Sequence, residues 1–239
     1  MDKNIIDLFE KNKSIGHYSK GVPALPKEMI PWQGNYDQAA MWILKNSYLP
    51  TLLLDLEIPF NEMLAESVTN DEYYVKHRGN RSPGWYSMAI HGTAVNHTQP
   101  AEYYYKKNKP KYDWTDLAEK CPITKDWLKS LEFESFSRVR FMKLSPGGWI
   151  EPHQDTHIAG IQAWNVALNH PPGHEFVMDN YGLVPWQEGQ VRGIDISSLH
   201  SVRNVGKKDR IHIIIHGSIG DKFKKIICKS YLDLYEKTY

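Results

Sequence analysis

The sequence has little of several features that would assign a protein to a class. Its 239 residues include two cysteines, Cys121 and Cys228, so no disulfide framework is indicated. The 29 basic and 28 acidic residues leave a net charge of +1, which argues against a protein devoted to nucleic acid. Hydrophobic runs such as residues 213–215 are far too short to cross a bilayer. These shortages favour a globular protein with no membrane partner.

The N-terminus lacks the apolar core of a secretory signal, because residues 1–7 are charged or polar at Asp2, Lys3, Asn4 and Asp7. We therefore expect a cytoplasmic protein. No internal repeat or low-complexity segment divides the chain, and its length predicts a single domain over residues 1–239. Within it we expect an N-terminal portion of helices and strands, residues 1–130, and a catalytic core, residues 137–217.

Helical spacing of apolar residues marks four segments. They are residues 36–48, a segment opening at Pro59, residues 123–131 and residues 221–235. Residues 73–77 and 85–91 have the composition of strands. Residues 1–34 carry several prolines and are left unassigned.

A series of short strand-like segments follows residue 137. They are residues 138–144, 161–168, 175–179, 189–194 and 211–217, and turn residues separate them. Such a series is typical of a sandwich or barrel, and a jelly roll is the architecture we expect. The fold class is therefore mainly β with flanking helices.

Two loops near this core have open interpretations. Residues 78–84 include Arg78 and Arg81 and form either a solvated loop or a lid that meets an acidic substrate group. Residues 103–114 interleave tyrosines with lysines, a pattern that also occurs in proteins that bind single-stranded nucleic acid. We favour a mobile loop or a covering strand for this segment over nucleic-acid binding.

One constellation of residues indicates chemistry. His153 and Asp155 are two residues apart, so on an extended strand both side chains face the same way. With His200 they form the two-histidine, one-carboxylate set that binds Fe(II) on one face and leaves positions open. Arg210 suits the far carboxylate of the chelating acid 2-oxoglutarate, and strand alternation puts His212 on the same face as Arg210.

Each of these residues also has a simpler interpretation. A histidine is often a polar core residue, Asp155 could cap a turn before Thr156, and Arg210 could be a surface arginine at a strand start. The order and spacing of the four residues together favour the metal site. Asp195 and Ser198 are candidates to orient His200.

Five blocks in residues 137–217 resemble the aspartyl/asparaginyl β-hydroxylase family of oxygenases. The blocks are residues 151–155, 164–171, 186–190, 195–204 and Arg210. The resemblance implies a double-stranded β-helix (a cupin-like jelly roll), Fe(II), 2-oxoglutarate, dioxygen and a hydroxylated product, with ascorbate as an accessory reductant. The complete set with Asp155 is also similar to proline cis-4-hydroxylase-type enzymes. Asn165 stands where the family has a histidine that binds the cosubstrate, and we include it among the cosubstrate contacts.

The predicted function is an Fe(II)- and 2-oxoglutarate-dependent dioxygenase that hydroxylates an unactivated C–H bond of an amino acid or a similar small molecule. The preference for a small substrate rests on the resemblance and on Arg78 and Arg81, which could hold an α-carboxylate. The alternative is a hydroxylase of a protein or peptide side chain, with residues 103–114 as one wall of a peptide groove. A cupin-type enzyme without 2-oxoglutarate and a non-catalytic binding module are disfavoured by Arg210 and the metal set. The sequence predicts neither the exact substrate nor the oligomeric state.

Overall fold

The computed structural model describes residues 2–24, 26, 36–45, 49–77 and 82–238. The helices in these residues are α1 (Lys3–Asn12), α2 (Tyr36–Lys45), α3 (Phe60–Thr69), α4 (Ala101–Tyr104), α5 (Asp116–Lys120), α6 (Pro122–Ser130) and α7 (Asp221–Thr238). The strands are β1 (Thr51–Leu54), β2 (Val75–Lys76), β3 (Trp85–Gly92), β4 (Asp113–Trp114), β5 (Ser135–Leu144), β6 (Trp149–His153), β7 (Ile161–Ala167), β8 (His174–Met178), β9 (Gly182–Leu183), β10 (Val191–Asp195), β11 (His200–Asn204) and β12 (Arg210–Ser218).

The strands form two antiparallel sheets. The large sheet has the order β1-β10-β7-β12-β5-β3-β2, with β4 paired to β3, and the small sheet has the order β6-β11-β8-β9. From β5 to β12 the chain crosses repeatedly between the sheets, so that β10-β7-β12-β5 opposes β6-β11-β8-β9. Eight strands arranged in two sheets in this way form a jelly roll. The predicted double-stranded β-helix with flanking helices is confirmed.

Strand β12 shows how the sequence separates the two faces of the large sheet. Ile211, Ile213 and Ile215 belong to the apolar core beneath the helices, whereas Arg210 and His216 face the space between the sheets. Successive side chains of a strand point to opposite faces. This alternation puts the polar residues of β12 in the interior of the jelly roll.

A layer of helices covers the outer face of the large sheet. Helix α7 buries Phe223, Ile227 and Tyr231, which lie four residues apart and therefore share one side of the helix. Phe223 meets Trp164 of β7 edge to face, with ring centroids 4.7 Å apart. This contact joins the C-terminal helix to a central strand of the jelly roll.

Helix α1 covers part of the small sheet and lies in the segment that the sequence analysis left unassigned. Its side chains Ile5, Leu8 and Phe9 are buried in one cluster with Val177 of β8. Asp2 caps the helix, because its carboxylate accepts a hydrogen bond of 2.8 Å from the Asn4 N–H. The spacing of the three apolar residues was a helix signal that the sequence analysis did not use.

Most other predicted elements are present, with one correction. The helices expected over residues 36–48, after Pro59, and over residues 123–131 and 221–235 correspond to α2, α3, α6 and α7, although residues 46–48 lie outside the described part. The strand expected over residues 73–77 is wrong in its first half: Asp71–Tyr73 forms a 3-10 turn, and pairing begins at Val75. Tyr74 instead bonds back to Ser67 of α3 through its hydroxyl, at 2.8 Å.

The N-terminal portion shares its sheet with the jelly roll. Strand β1 pairs with β10, and β3 pairs with β5. A single domain over residues 1–239 stays a prediction that this shared sheet supports. In the part of the chain that the structure describes, no helix combines the length and the apolar character that membrane crossing requires.

Candidate active site

A cavity of about 360 Å³ lies between the two sheets. Its apolar walls come from both of them, with Met142 and Ile214 on the large sheet and Ile150, Phe176 and Val202 on the small one. The predicted site residues that line it are His153, Asp155, His200, Asn165 and Arg210. The jelly roll therefore brings together residues that are up to 57 positions apart in the sequence (Arg210 against His153).

The possible metal ligands come from neighbouring strands of the small sheet. His153 ends β6 and His200 begins β11, and the two residues are paired in register. The nearest Nε2–carboxylate distances to Asp155 are 3.7 Å for His153 and 4.0 Å for His200. One nitrogen or oxygen from each residue lies within 4.8 Å of the others. This donor set and its size fit a divalent metal such as Fe(II).

Asp155 reaches this group by a different route from the one predicted. Strand β6 ends at His153, so Asp155 does not share an extended strand with it. The Asp155 N–H donates to the Ile196 carbonyl at 3.0 Å, and the Gln154 side chain donates to the Ser197 carbonyl at 2.6 Å. These bonds tie the segment after β6 to the turn before β11, and they bring the carboxylate to the histidines.

Backbone carbonyls select the tautomer of both imidazoles. His153 Nδ1 lies 2.8 Å from the Glu151 carbonyl oxygen, and His200 Nδ1 lies 2.8 Å from the Ser198 carbonyl oxygen. A carbonyl only accepts, so each Nδ1 carries the hydrogen and each Nε2 keeps a lone pair. That is the form a metal ligand needs.

The predicted orienting residues act on the turn before His200. Ser198 orients His200 through its backbone carbonyl rather than its hydroxyl. The Asp195 carboxylate accepts hydrogen bonds from the Ser197 N–H and hydroxyl, at 2.9 and 2.6 Å, and from the Ser198 hydroxyl at 3.0 Å. Asp195 thus shapes the turn and does not touch the imidazole in these contacts.

Arg210 is a buried cation at the large-sheet side of the cavity, with 4% of its surface exposed. Its Nη2 donates to His212 Nδ1 at 2.8 Å, and its Nε has no partner among the described residues. Burial lowers the pKa of the guanidinium to about 9. Among the described residues no carboxylate forms an ion pair with Arg210. An anionic ligand would supply that missing partner.

Three histidines that do not line the cavity lie near Arg210. Burial, and next the charge of Arg210, lower the pKa of His170 to about 3 and also lower the pKa of His174. The same two causes hold the pKa of His212 well below its usual value. These imidazoles stay neutral, so they do not add positive charge beside the guanidinium.

Asn165 reaches the cavity from β7 of the large sheet. Asn165 is buried, and its Oδ1 atom has no hydrogen-bond partner among the described residues. A buried amide oxygen without a partner is costly unless a ligand or water meets it. His212 differs from the other predicted contacts, because it does not line the cavity and acts on it through Arg210.

The structure adds three polar residues that the sequence analysis did not use for the site. Arg138 and Arg140 of β5 and His216 of β12 line the cavity. The alternation of side chains in β5 could have identified the two arginines. Arg138, Arg140 and Met142 line the cavity. The residues between them, Val139 and Phe141, belong to the core.

Other sequence-based candidates lie elsewhere. Arg78 and Arg81, proposed as contacts for a substrate carboxylate, lie outside the described residues. Tyr103 is 78% exposed, and with Tyr104 it borders a second, shallower pocket.

Comparisons with known proteins give the following similarities. The profile of the aspartyl/asparaginyl beta-hydroxylases matches residues 60–218. A search of curated proteins finds no match. Similar solved structures include a Trichoplax adhaerens prolyl hydroxylase in complex with a hypoxia inducible factor peptide, at 9% identity and TM-score 0.49, over 81% of this chain and 95% of that one. A 2OG-Fe(II) oxygenase family protein from Burkholderia pseudomallei has 12% identity and TM-score 0.48, over 78% and 94%.

A third similar structure is HygX from Streptomyces hygroscopicus with nickel and 2-oxoglutarate bound, at 9% identity and TM-score 0.46, over 82% of this chain and 88% of that one. The family match spans more than half of this chain and includes every residue of the cavity described above. The grouped His153, Asp155 and His200 side chains suit the metal that the family uses. The chain belongs to the aspartyl/asparaginyl β-hydroxylase family, and it is an oxygenase that uses Fe(II) and 2-oxoglutarate.

Proposed function

We propose that this enzyme hydroxylates an unactivated C–H bond of a free amino acid or a similar small molecule. In this proposal His153, Asp155 and His200 hold Fe(II), and Arg210 holds the far carboxylate of 2-oxoglutarate. The observation that carries the cosubstrate assignment is the buried guanidinium of Arg210, which lacks a carboxylate partner among the described residues. It borders the same cavity as the three candidate metal ligands.

Each residue then has a physical task. The carbonyls of Glu151 and Ser198 keep the Nε2 atoms of both histidines unprotonated. His212 accepts from Arg210 and sets the direction of its guanidinium, and Asn165 offers an amide to the cosubstrate. Iron and 2-oxoglutarate, when bound, supply dioxygen activation and the transfer of one oxygen atom to carbon. The apolar walls exclude water, and a few polar contacts fix the position of the substrate.

The size of the cavity supports a small substrate. Ligand pockets commonly measure about 300–1,000 Å³, and this cavity of about 360 Å³ is near the lower end of that range. The cosubstrate must share the same space. A free amino acid suits the room that is left better than a folded or extended polypeptide does.

A second candidate, hydroxylation of a side chain in a peptide, has one observation in its favour. The shallow pocket beside Tyr103 shares His77 and Gln99 with the main cavity. A peptide lying across exposed Tyr103 could therefore present one side chain to the metal group. Residues 103–114, which contribute Tyr103 and Tyr104 to this pocket, would then form one wall of a peptide groove.

Mass spectrometry separates the two candidates. Purified enzyme is incubated with Fe(II), 2-oxoglutarate and ascorbate, either with each of the free amino acids or with proteins of a cell extract. We expect one free amino acid to gain about 16 Da, the mass of one oxygen atom added by this chemistry, together with succinate release. A gain of oxygen on extract proteins, with none on any free amino acid, would establish the second candidate in place of the first.

A further inference from the structure

One polar atom of a cavity residue needs a hydrogen-bond donor that the cosubstrate does not have. We propose that Asn165 binds the amino group of the substrate, and that its Oδ1 atom accepts a hydrogen bond from the amino nitrogen. This inference deepens the proposed function and rests on it. It makes Asn165 the residue that distinguishes amino acids from other carboxylic acids of the same shape.

Asn165 lies between two alanines on the inner face of β7. Ala163 and Ala167 are two residues away on either side, so the three side chains point to the same face of the strand. Ala163 lines the cavity together with Asn165, and Ala167 belongs to the apolar cluster on this side of the sheet. Neither alanine has a hydrogen-bonding side chain, so the amide of Asn165 is the polar group that β7 directs to this face.

The strands on either side of β7 donate no hydrogen bond to this amide. Ile214 of β12 and Arg192 of β10 are opposite Asn165 in the two pairings. Ile214 has no polar side-chain atom. Arg192 directs its N–H groups to three other acceptors, which are Gln190 Oε1 at 3.2 Å, the Tyr18 hydroxyl at 3.4 Å and the Pro185 carbonyl at 2.9 Å.

Burial makes the unpartnered oxygen costly. Asn165 has 6% of its surface exposed, and its Oδ1 atom is buried without a hydrogen-bond partner among the residues that the structure describes. A buried carbonyl oxygen in this condition keeps the full penalty of leaving water. The χ2 torsion of an asparagine is broad, so rotation of the amide turns Oδ1 towards a ligand in the cavity.

The chemistry of the ligands identifies the donor. The 2-oxoglutarate dianion has two carboxylates and a ketone, which only accept hydrogen bonds. It therefore suits the Nδ2 end of the amide and not Oδ1. The carboxylate of an amino acid also only accepts, whereas the amino group is a donor that every free amino acid carries. Water is the competing donor, and the experiment distinguishes the two.

The experiment compares amino acids with acids that lack the amino group. The protein is loaded with Mn(II) in place of Fe(II) and saturated with 2-oxoglutarate. Calorimetry then measures the binding of each free amino acid and of its des-amino counterpart, in which hydrogen replaces the amino group. We expect an amino acid to bind and its counterpart to bind about 10- to 100-fold more weakly, the usual effect of one hydrogen bond with a charged partner.

Two substitutions separate the two ends of the amide. Asn165→Leu has a similar size and no acceptor, so the preference for the amino acid should fall to within about threefold. Asn165→Asp keeps an acceptor and should keep the preference. It should bind 2-oxoglutarate more weakly, because a carboxylate has no N–H to donate and repels the dianion. Each variant is first titrated with 2-oxoglutarate and then studied at a concentration that saturates it.

The matched control is Asn70→Leu. Asn70 is a buried asparagine after α3 whose Nδ2 donates to the Glu66 carbonyl at 2.9 Å, and it does not line the cavity. Its loss should reduce stability and leave the preference for the amino acid unchanged. An equal loss of preference in Asn165→Leu and Asn70→Leu would overturn the inference.

Two further results would also overturn it. One is equal binding of an amino acid and its des-amino counterpart by the unaltered protein. The other is an unchanged preference in Asn165→Leu, which is the result expected if water is the partner of Oδ1.

Failure of the proposed function has a different signature. If 2-oxoglutarate does not bind to the Mn(II) protein, or if no free amino acid binds after it, the proposed function is wrong and the inference falls with it. If 2-oxoglutarate and an amino acid both bind, and the des-amino counterpart binds equally well, only the inference about Asn165 is wrong.

Discussion

Two carbonyl oxygens determine how His153 and His200 present their nitrogen atoms, and Asp155 completes the group. We predict that His153→Ala and His200→Ala each lose most of the bound iron, because each removes one of the two candidate imidazole ligands. Asp155→Ala should weaken binding less, since both candidate imidazole ligands remain. Elemental analysis of protein purified with added Fe(II) measures the occupancy.

The control for the metal prediction is His157→Ala, which removes an exposed histidine four residues from His153. This variant should keep the iron content of the unaltered protein. Full iron occupancy in a His153→Ala/His200→Ala double variant would show that the metal binds elsewhere.

In the proposed function, Arg210 sets the affinity for the cosubstrate. We predict that Arg210→Met weakens 2-oxoglutarate binding by about two to four decades while the metal still binds. Removing one partner of a buried ion pair costs about 3–5 kcal/mol, which corresponds to that range. Calorimetric titration of 2-oxoglutarate into protein loaded with Mn(II) in place of Fe(II) measures the change. Arg192→Met, at a buried arginine of β10 that does not line the cavity, should leave this affinity within about threefold.

The sequence allowed some residues of the site to be predicted and others not. Spacing and order along the chain identified the candidate metal ligands, and also Arg210 and His212. Both can be read from the sequence without knowledge of the tertiary structure. Arg138 and Arg140 were missed, because an arginine on a strand is usually exposed and only the opposing sheet turns this face into a cavity wall. Asp155 is brought to the histidines by hydrogen bonds with the turn before β11. The short polar sequence of that turn did not predict these bonds.

At the scale of elements, strand β10 shows how one glycine permits close packing. Gly193 is paired with Trp164 of β7, and a Cβ at Gly193 would lie 2.6 Å from Ile161 Cγ2 and 2.7 Å from Trp164 Cζ3. We predict that Gly193→Ala lowers the free energy of unfolding by about 1–3 kcal/mol, the usual cost of overpacking a core. Urea unfolding followed by circular dichroism measures the loss.

The matched control for this prediction is Gly16→Ala. The nearest heavy atom to a Cβ at Gly16 is Ser19 Cβ at 3.8 Å, an ordinary contact distance. This substitution should change the free energy of unfolding by no more than about 0.5 kcal/mol. A similar loss in both variants would mean that the packing of Trp164 does not explain the cost at Gly193.

Elements with a strong period were predicted well, and short elements were not. Helices α2, α6 and α7 carry apolar residues at helical spacing, and β7 and β12 are rich in apolar residues between turn residues, so each was found near its observed bounds. Strand β2 has two residues and β1 has four, and such segments form only because a long neighbour offers hydrogen bonds. Their positions depend on β3 and β10 and not on their own residues.

At the scale of the whole molecule, buried histidines should make stability depend on pH. Burial is the largest cause that lowers the pKa of His17 to about 3, and His170 and His216 have the same direction and value. Above pH 6.5 the folded and unfolded chains are both neutral at these rings. Below it the unfolded chain binds protons that the folded chain does not, so stability falls as pH falls towards 3.

We predict that each such histidine contributes up to about 1.4 kcal/mol per pH unit to this fall. His17 lies outside the cavity and bonds to the Thr51 hydroxyl at 2.8 Å, so His17→Gln should reduce the slope by about one histidine. Urea unfolding of the metal-free protein between pH 6.5 and 4 measures it. His157→Gln, at an exposed position, should leave the slope unchanged; an equal change in both variants would contradict the role of burial.

The small sheet carries the two candidate histidine ligands, and the large sheet carries the arginines and Asn165. This division separates two kinds of inherited change. Substitutions on β5 can alter the wall of the cavity while the candidate iron ligands on β6 and β11 stay as they are. A lineage with this architecture can therefore acquire new substrates by drift in one sheet, without passing through an ancestor that has lost its metal.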